Sequence, residues 1–187
     1  MELTGSRDYN RRSLEKGIHM RFLFPATLFA ILALPTMDTN AQSFDQQLAW
    51  CNGQGNASTD PDLVIKGCTG VIQSGKLVTQ TQNLALVFNK RATAYGRKGQ
   101  NDLALKDYDQ TLRLTPNYAE GFFNRGYTYF LLGQNDRAVQ DYDQAIRFKP
   151  DFALAFEYRG ELKLKKGDTV GGNADIARAK FWRLNPR

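Results

Sequence analysis

The sequence predicts an all-α fold, a solenoid of antiparallel helix pairs, and three observations carry that prediction. A long segment recurs with a period of 34 residues, as "ALVFNKRATAYGRKGQNDLALKDYDQTLRLTP" from Ala85 and "AEGFFNRGYTYFLLGQNDRAVQDYDQAIRFKP" from Ala119. A looser third copy, "ALAFEYRGELKLKKGDTVGGNADIARAK", starts at Ala153. Within each copy, small and aromatic residues return at helical spacing, and glycine and proline stand at the same places. A period of this length marks a supersecondary unit that buries its apolar face only by stacking on its neighbours.

The first 41 residues form a leader rather than a structural element. Met20 and Arg21 precede the apolar run "FLFPATLFAILALP", and Thr39 and Ala41 supply the small residues before a cut. Cleavage is expected between Ala41 and Gln42, through ordinary secretion to the periplasm or the outside. The run is shorter than the roughly 20 residues that span a bilayer, so an uncleaved anchor is the lesser alternative and no stable membrane insertion is expected after cleavage. Residues 1–19 look superfluous, with Met20 as a candidate start. Arg11 and Arg12 also outline a weak twin-arginine signal, which Glu15 spoils where an apolar residue is preferred.

Removing the leader removes His19, the one histidine, and with it every histidine-dependent nucleophile or metal site. No metal, cofactor or catalytic residue is assigned. The net charge of +6 is spread through alternating basic and acidic residues, without the basic block that binds nucleic acid. Export also bears on the two cysteines: an even count in an oxidising compartment favours a Cys51–Cys68 disulfide over two reduced thiols.

Each repeat copy reads as two helices. In residues 117–150, Phe122, Gly126 and Tyr129 fall on one face of the first helix, and Ala138, Tyr142, Ala145 and Ile146 on one face of the second. "GQND" turns the chain between them, glycine ending the first helix. Pro150 stops the second, because proline has no amide hydrogen and clashes with a continuing helix. Gly126, Ala138 and Ala145 are short where the two helices cross. Residues 83–116 repeat the pattern with Phe88, Ala92, Tyr95, Ala104, Tyr108 and Pro116, departing at Thr111. Residues 151–187 depart further, at Lys163, Gly172 and Ile176, as suits a terminal unit whose outer face meets water.

This pattern of aromatic, small, tyrosine, alanine, aromatic, alanine and proline resembles the tetratricopeptide repeat, and an exported bacterial member of that family is the expectation. The resemblance runs from Leu84 to Pro186 and implies a right-handed α-solenoid. It extends backward as a worn unit over 42–82, where "PDLVIKGCTGVIQSG" parallels "NDLALKDYDQTLRLT". On that offset Cys51 falls at the place of Arg91 and Cys68 at that of Tyr108, positions that face each other across a helix pair in the family. Asp60 is a candidate N-cap there, with Pro61 in the first helical turn.

The acidic pairs Asp107/Asp109 and Asp141/Asp143 invite an acid–base reading. They recur at one place in two copies, which is how a scaffold behaves, and they are expected to be solvated carboxylates on an outer face. Function is expected instead on the first helices, which in the family line a concave groove for an extended peptide or partner helix. The groove candidates are Asn89, Thr93, Phe123, Tyr127, Phe130, Glu157 and Glu161. Phe123, Tyr127 and Phe130 form a stripe that either meets a partner or packs against neighbouring first helices, and the sequence leaves both open. The lysine, arginine and asparagine set with which some family members clamp a chaperone's C-terminal carboxylate is matched only by Asn124.

The functional expectation is therefore a non-enzymatic exported module that binds an unidentified envelope protein or peptide. A carboxylate-based envelope hydrolase or wall-binding protein is the alternative from another class, and a self-associating structural unit is a third. Oligomeric state is not legible.

Overall fold

A computed structural model describes residues 42–186; the expected leader, with its expected cleavage point and His19, lies outside them. Eight α-helices follow one another among the described residues, with no strand. They are α1 (Phe44–Cys51), α2 (Pro61–Gln73), α3 (Thr81–Arg97), α4 (Asn101–Leu114), α5 (Ala119–Leu131), α6 (Asn135–Phe148), α7 (Ala153–Lys165) and α8 (Thr169–Leu184). A 3-10 turn at Gly55–Ser58 joins α1 to α2. The helices pack as α1–α2, α3–α4, α5–α6 and α7–α8, and each pair rests on the next, which is an α-solenoid.

The sequence signals act where they were expected to. Asp60 caps α2, its carboxylate accepting from the Asp62 amide at 2.8 Å, and Pro61 opens the helix. Gly99, Gly133 and Gly167 adopt φ of +70°, +71° and +93°, which lets α3, α5 and α7 end in tight turns. After each glycine the next amide reaches back, as Gln134 N does to Tyr129 O at 2.8 Å, satisfying a carbonyl the helix end leaves open. Ala92, Ala104 and Tyr108 form one buried cluster, and Ala138, Tyr142 and Leu162 another. At Gly126 an added Cβ would lie 3.0 Å from Asp141 Cβ and from the Tyr142 ring, so the α5–α6 crossing depends on the missing side chain.

The stretch ahead of the repeats is a helix pair as well, and Cys51–Cys68 is a disulfide within it. Both cysteines are buried among Ala57, Val64, Val71 and, from α3, Val87 and Ala94. The helices approach so closely that a Cβ on Gly67 would lie 2.5 Å from Gln47 O.

One expectation is corrected. Asp107, Asp141 and the aligned Asp175 are not solvated but 5%, 5% and 6% exposed. Each accepts two bonds from an arginine of the same unit. Arg91 Nε and Nη2 reach Asp107 at 2.7 and 2.8 Å, Arg125 reaches Asp141 at 2.8 and 2.8 Å, and Arg159 reaches Asp175 at 2.8 and 2.7 Å. The remaining nitrogen, Nη1, crosses to the preceding unit. Arg125 Nη1 donates to Asp109 at 2.7 Å and Arg159 Nη1 to Asp143 at 2.6 Å. The half-exposed aspartates thus tie neighbouring units, while the buried ones tie the two helices of one unit.

This ladder has a first rung of different chemistry. Arg91 Nη1 donates to Thr69 Oγ1 at 3.1 Å, and Thr69 stands where Asp109 stands one unit later. In that same pair Cys51 occupies the arginine position and Gly67 the aspartate position, and the Cys51–Cys68 bond closes the helix pair in their stead. The last rung is also altered. Lys163, in the place of Tyr95 and Tyr129, puts its ammonium 2.9 Å from Asp175.

Environment sets the charge on each rung. Hydrogen bonds donated to Asp141, outweighing burial, hold the Arg125 guanidinium more firmly protonated than usual. Burial pushes the Asp141 carboxyl up, against the pull of Arg125 and with help from Asp109. Burial also works against the Asp175 carboxylate, but Arg159 and Lys163 together bring it below the ordinary range.

Candidate functional site

The first helices α3, α5 and α7 lie side by side, and one repeat position on them faces outward throughout. It holds Thr93, Tyr127 and Glu161, all exposed. One helical turn earlier the equivalent residues, Asn89, Phe123 and Glu157, are progressively drawn into contacts. Asn89 is buried, and its Oδ1 accepts from Asn124 Nδ2 at 3.2 Å, which joins α3 to α5. Of the groove candidates, Asn89 is therefore a structural contact between helices rather than an open polar group. Glu157 pairs with Arg183 of α8, leaving it partly covered.

The aromatic stripe divides between the two readings the sequence left open. Phe123 packs inward, its ring centroid 4.9 Å from Phe152, 5.7 Å from Tyr142 and 5.9 Å from Tyr158. Tyr158 of α7 meets Tyr127 at 5.3 Å and Phe130 at 5.6 Å, edge against face in both cases. Such edge-to-face contacts are the preferred arrangement of rings, because the positive edge meets the negative face. Tyr127 nevertheless stays 36% exposed, and Leu131 beside it 55%. The stripe is thus packed at its base and open at its crest. Tyr158 was not singled out as a groove residue by sequence; it shares a repeat position with Asn124, whose polar side chain disguised the site's aromatic use on α7.

Polar partners thin out along the groove from α3 to α7. At the α3 end, Tyr108 OH lies 3.2 Å from Thr93 Oγ1, which itself donates to Asn89 O at 3.0 Å. One unit on, Tyr142 is fully buried, and its hydroxyl has no hydrogen-bond partner among the described residues. The residue at Thr93's position is now Tyr127. Burial drives the Tyr142 hydroxyl far above its ordinary pKa, with further upward pushes from Tyr158, Tyr127 and Glu161. Tyr158 is raised for the same reasons, burial first and then Tyr127 and Glu161. Both hydroxyls remain protonated donors at neutral pH.

Two open clefts adjoin this surface. One of about 340 Å³ lies at the α3 end, walled by Cys51, Val64, Asn89, Lys90, Thr93 and Arg97 among others. A larger one, about 750 Å³, lies off the groove at the α5–α6 turn, where Gln134, Asp136, Lys165 and Lys166 give it a polar wall. Among the described residues, no three histidine, cysteine or carboxylate side chains are grouped to hold a metal.

Comparison with known proteins accords with this architecture. A family model described as "TPR repeat" matches residues 92–133 and again 126–167. No curated protein matches the chain. Among solved structures, MamA superposes with a TM-score of 0.64 at 18% identity, covering 78% of this chain and 81% of that one. The first TPR of Spaghetti (RPAP3), solved bound to the HSP90 peptide SRMEEVD, gives a TM-score of 0.54 at 22% identity, covering 56% and 82%. The second TPR of the same protein, with the same peptide, gives 0.54 at 20% identity, covering 56% and 97%. At such identities the likeness is one of fold. Residues 92–167 thus match the tetratricopeptide repeat, and the helix pairs around them share its fold.

Proposed function

We propose that this protein is an exported, non-enzymatic binding module that holds a segment of a partner protein along α3, α5 and α7. The observation that carries the reading is the crest of the aromatic stripe. Tyr127 is open to solvent at the middle of the groove while its base is locked by Tyr158, Phe123 and Phe130. An aromatic side chain held rigid and left exposed is the kind of group that carries binding energy, because little freedom is lost when a partner covers it. Structural relatives bound to a peptide support a peptide or protein partner in general terms.

The carboxylate-based hydrolase fits less well. Catalytic carboxylates must be free to exchange protons, whereas Asp107, Asp141 and Asp175 are each bound through both oxygens to an arginine. Export rests on the leader and on a disulfide that suits an oxidising compartment. Replacing Phe123, Tyr127 and Phe130 with alanine should lower capture of envelope partners at least tenfold while helical circular dichroism persists. Undiminished capture by a folded triple variant would refute the groove. N-terminal sequencing of the mature protein tests export, with Gln42 the expected first residue.

A further inference from the structure

We infer that the α5–α7 half of the groove is a cradle for a cationic side chain, an arginine or lysine of the partner segment, seated over Tyr127 and Tyr158 and paired with Glu161. The inference rests on the groove reading above and names the chemistry of its occupant.

Charge complementarity is the first support. The described residues hold three glutamates, all on first helices, and two are already neutralised: Glu120 by Lys149 at 2.9 Å and Glu157 by Arg183. Glu161 is exposed and has no ion pair among the described residues, although Lys165 stands one helical turn away. It lies one turn beyond Tyr158 on α7 and at the repeat position of Tyr127 on α5, so its charge falls on the exposed crest of the rings. After burial and the neighbouring tyrosines, Glu161 adds an upward push to the hydroxyls of Tyr158 and Tyr142, in keeping with its place beside them.

Ring chemistry is the second. Tyr127 and Phe130 stack nearly parallel at 6.2 Å, with Tyr158 edge-on to both. Tyr127 is 36% exposed, and an aromatic ring attracts a cation all the more when a nearby carboxylate adds its charge as water is expelled. The protein already uses this pairing on itself. Arg91, Arg125 and Arg159 each lie between 5.4 and 6.0 Å from the rings of their own units, Phe88 and Tyr95, Phe122 and Tyr129, and Phe156. Every one of those arginines also meets a carboxylate. Tyr127 and Glu161 present the same two chemistries, ring and carboxylate, on the exposed side of α5 and α7.

The third observation is the unpartnered Tyr142 hydroxyl under the same rings. Its ring lies 6.0 Å from that of Tyr158 and 5.7 Å from that of Phe123, so a polar group left without a hydrogen bond among the described residues adjoins the stripe.

The test is an NMR titration of the protein with three short capped alanine–serine peptides, alike except for a central arginine, citrulline or glutamate. Citrulline keeps the shape of arginine and removes its charge. The arginine peptide should shift the amides of Tyr127, Tyr158 and Glu161 saturably, and citrulline should bind about tenfold more weakly. Glu161→Gln should weaken the arginine peptide about fivefold and leave citrulline unchanged; the exposed site makes loss of fold no concern. Equal binding of arginine and citrulline, a preference for glutamate at these amides, or no shift with any peptide overturns the inference. Capture of a partner that needs Tyr127 but is indifferent to Glu161→Gln sinks the cation and keeps the groove; capture indifferent to both sinks the groove as well.

Discussion

Arg125 binds carboxylates from two units at once, and replacing it with methionine gives the sharpest test of the ladder. Methionine keeps most of the apolar contact with Phe122 and Tyr129 and deletes the charge. Asp141, its side chain 7% exposed, is then left buried beside no cation, while Arg125 itself is 21% exposed. Removing one partner of a buried pair costs about 3–5 kcal/mol, and partial exposure places this rung at about 3. The half-exposed Asp109 contact adds a few tenths at most. For a domain of this size that loss corresponds to a fall of about 6–12 °C in Tm. The pH dependence has a definite sign. Burial already raises the folded-state pKa of Asp141, and loss of Arg125 raises it further. A carboxyl that binds its proton more tightly when folded gains stability as pH falls, so the gap between variant and wild type should narrow below pH 7. Pairing Arg125→Met with Asp141→Leu removes the orphaned charge and should return the protein to within about 1 kcal/mol of wild type. Urea unfolding followed by circular dichroism at several pH values reads all three effects. A single variant within about 0.5 kcal/mol of wild type at pH 7, or a gap that widens in acid, refutes the reasoning.

Two further outcomes follow from the altered end rungs. Reducing the Cys51–Cys68 bridge, which spans 17 residues, should cost about 3 kcal/mol. Hydrogen exchange should show that loss first in α1 and α2 and least in α6; uniform loss, or none, counts against a local staple. At the other end, Lys163→Met removes one of the two cations on Asp175. The depressed Asp175 pKa means its contribution is present above the ordinary carboxylate value and lost as pH falls through the folded one. In the variant the folded pKa moves back toward the ordinary value, so the contribution is smaller and its loss is complete at a higher pH; a carboxyl-carbon titration with an unmoved midpoint would contradict it.

The fold was legible because its signals are local and repeated. Glycine at 99, 133 and 167, proline at 116 and 150, and small residues at 92, 126, 104 and 138 each act through backbone conformation or close approach, which the sequence states directly. The helix pair ahead of the repeats was legible through Asp60, Pro61 and the two cysteines. What misled was charge. Aspartate is so seldom buried alone that Asp107 and Asp141 read as solvated, and the reading considered one helix at a time. The missing signal was present: Arg91, Arg125 and Arg159 keep the same period and stand 16 residues before their partners. Pairwise periodicity of opposite charges, rather than of either sign alone, points to a buried ladder.

That ladder and the groove divide the repeat between them, and the division explains where variation is permitted. At the rung positions the units repeat arginine and aspartate, since each must satisfy the same two-helix geometry and each arginine must also reach the unit before it. Change there is confined to the first pair, where a disulfide replaces the rung; the last pair keeps arginine and aspartate and adds a lysine. At the outward position of the first helices the units differ completely: threonine at 93, tyrosine at 127 and glutamate at 161. Those residues take no part in the arginine–aspartate rungs, and under the proposed reading their variation serves recognition. The rungs, by fixing how α3, α5 and α7 stand relative to one another, hold that unlike trio in a fixed order before any partner arrives. A groove preorganised in this way loses less entropy on binding, so loosening the Arg125 rung should weaken a ligand at Tyr127 without touching a single contact to it.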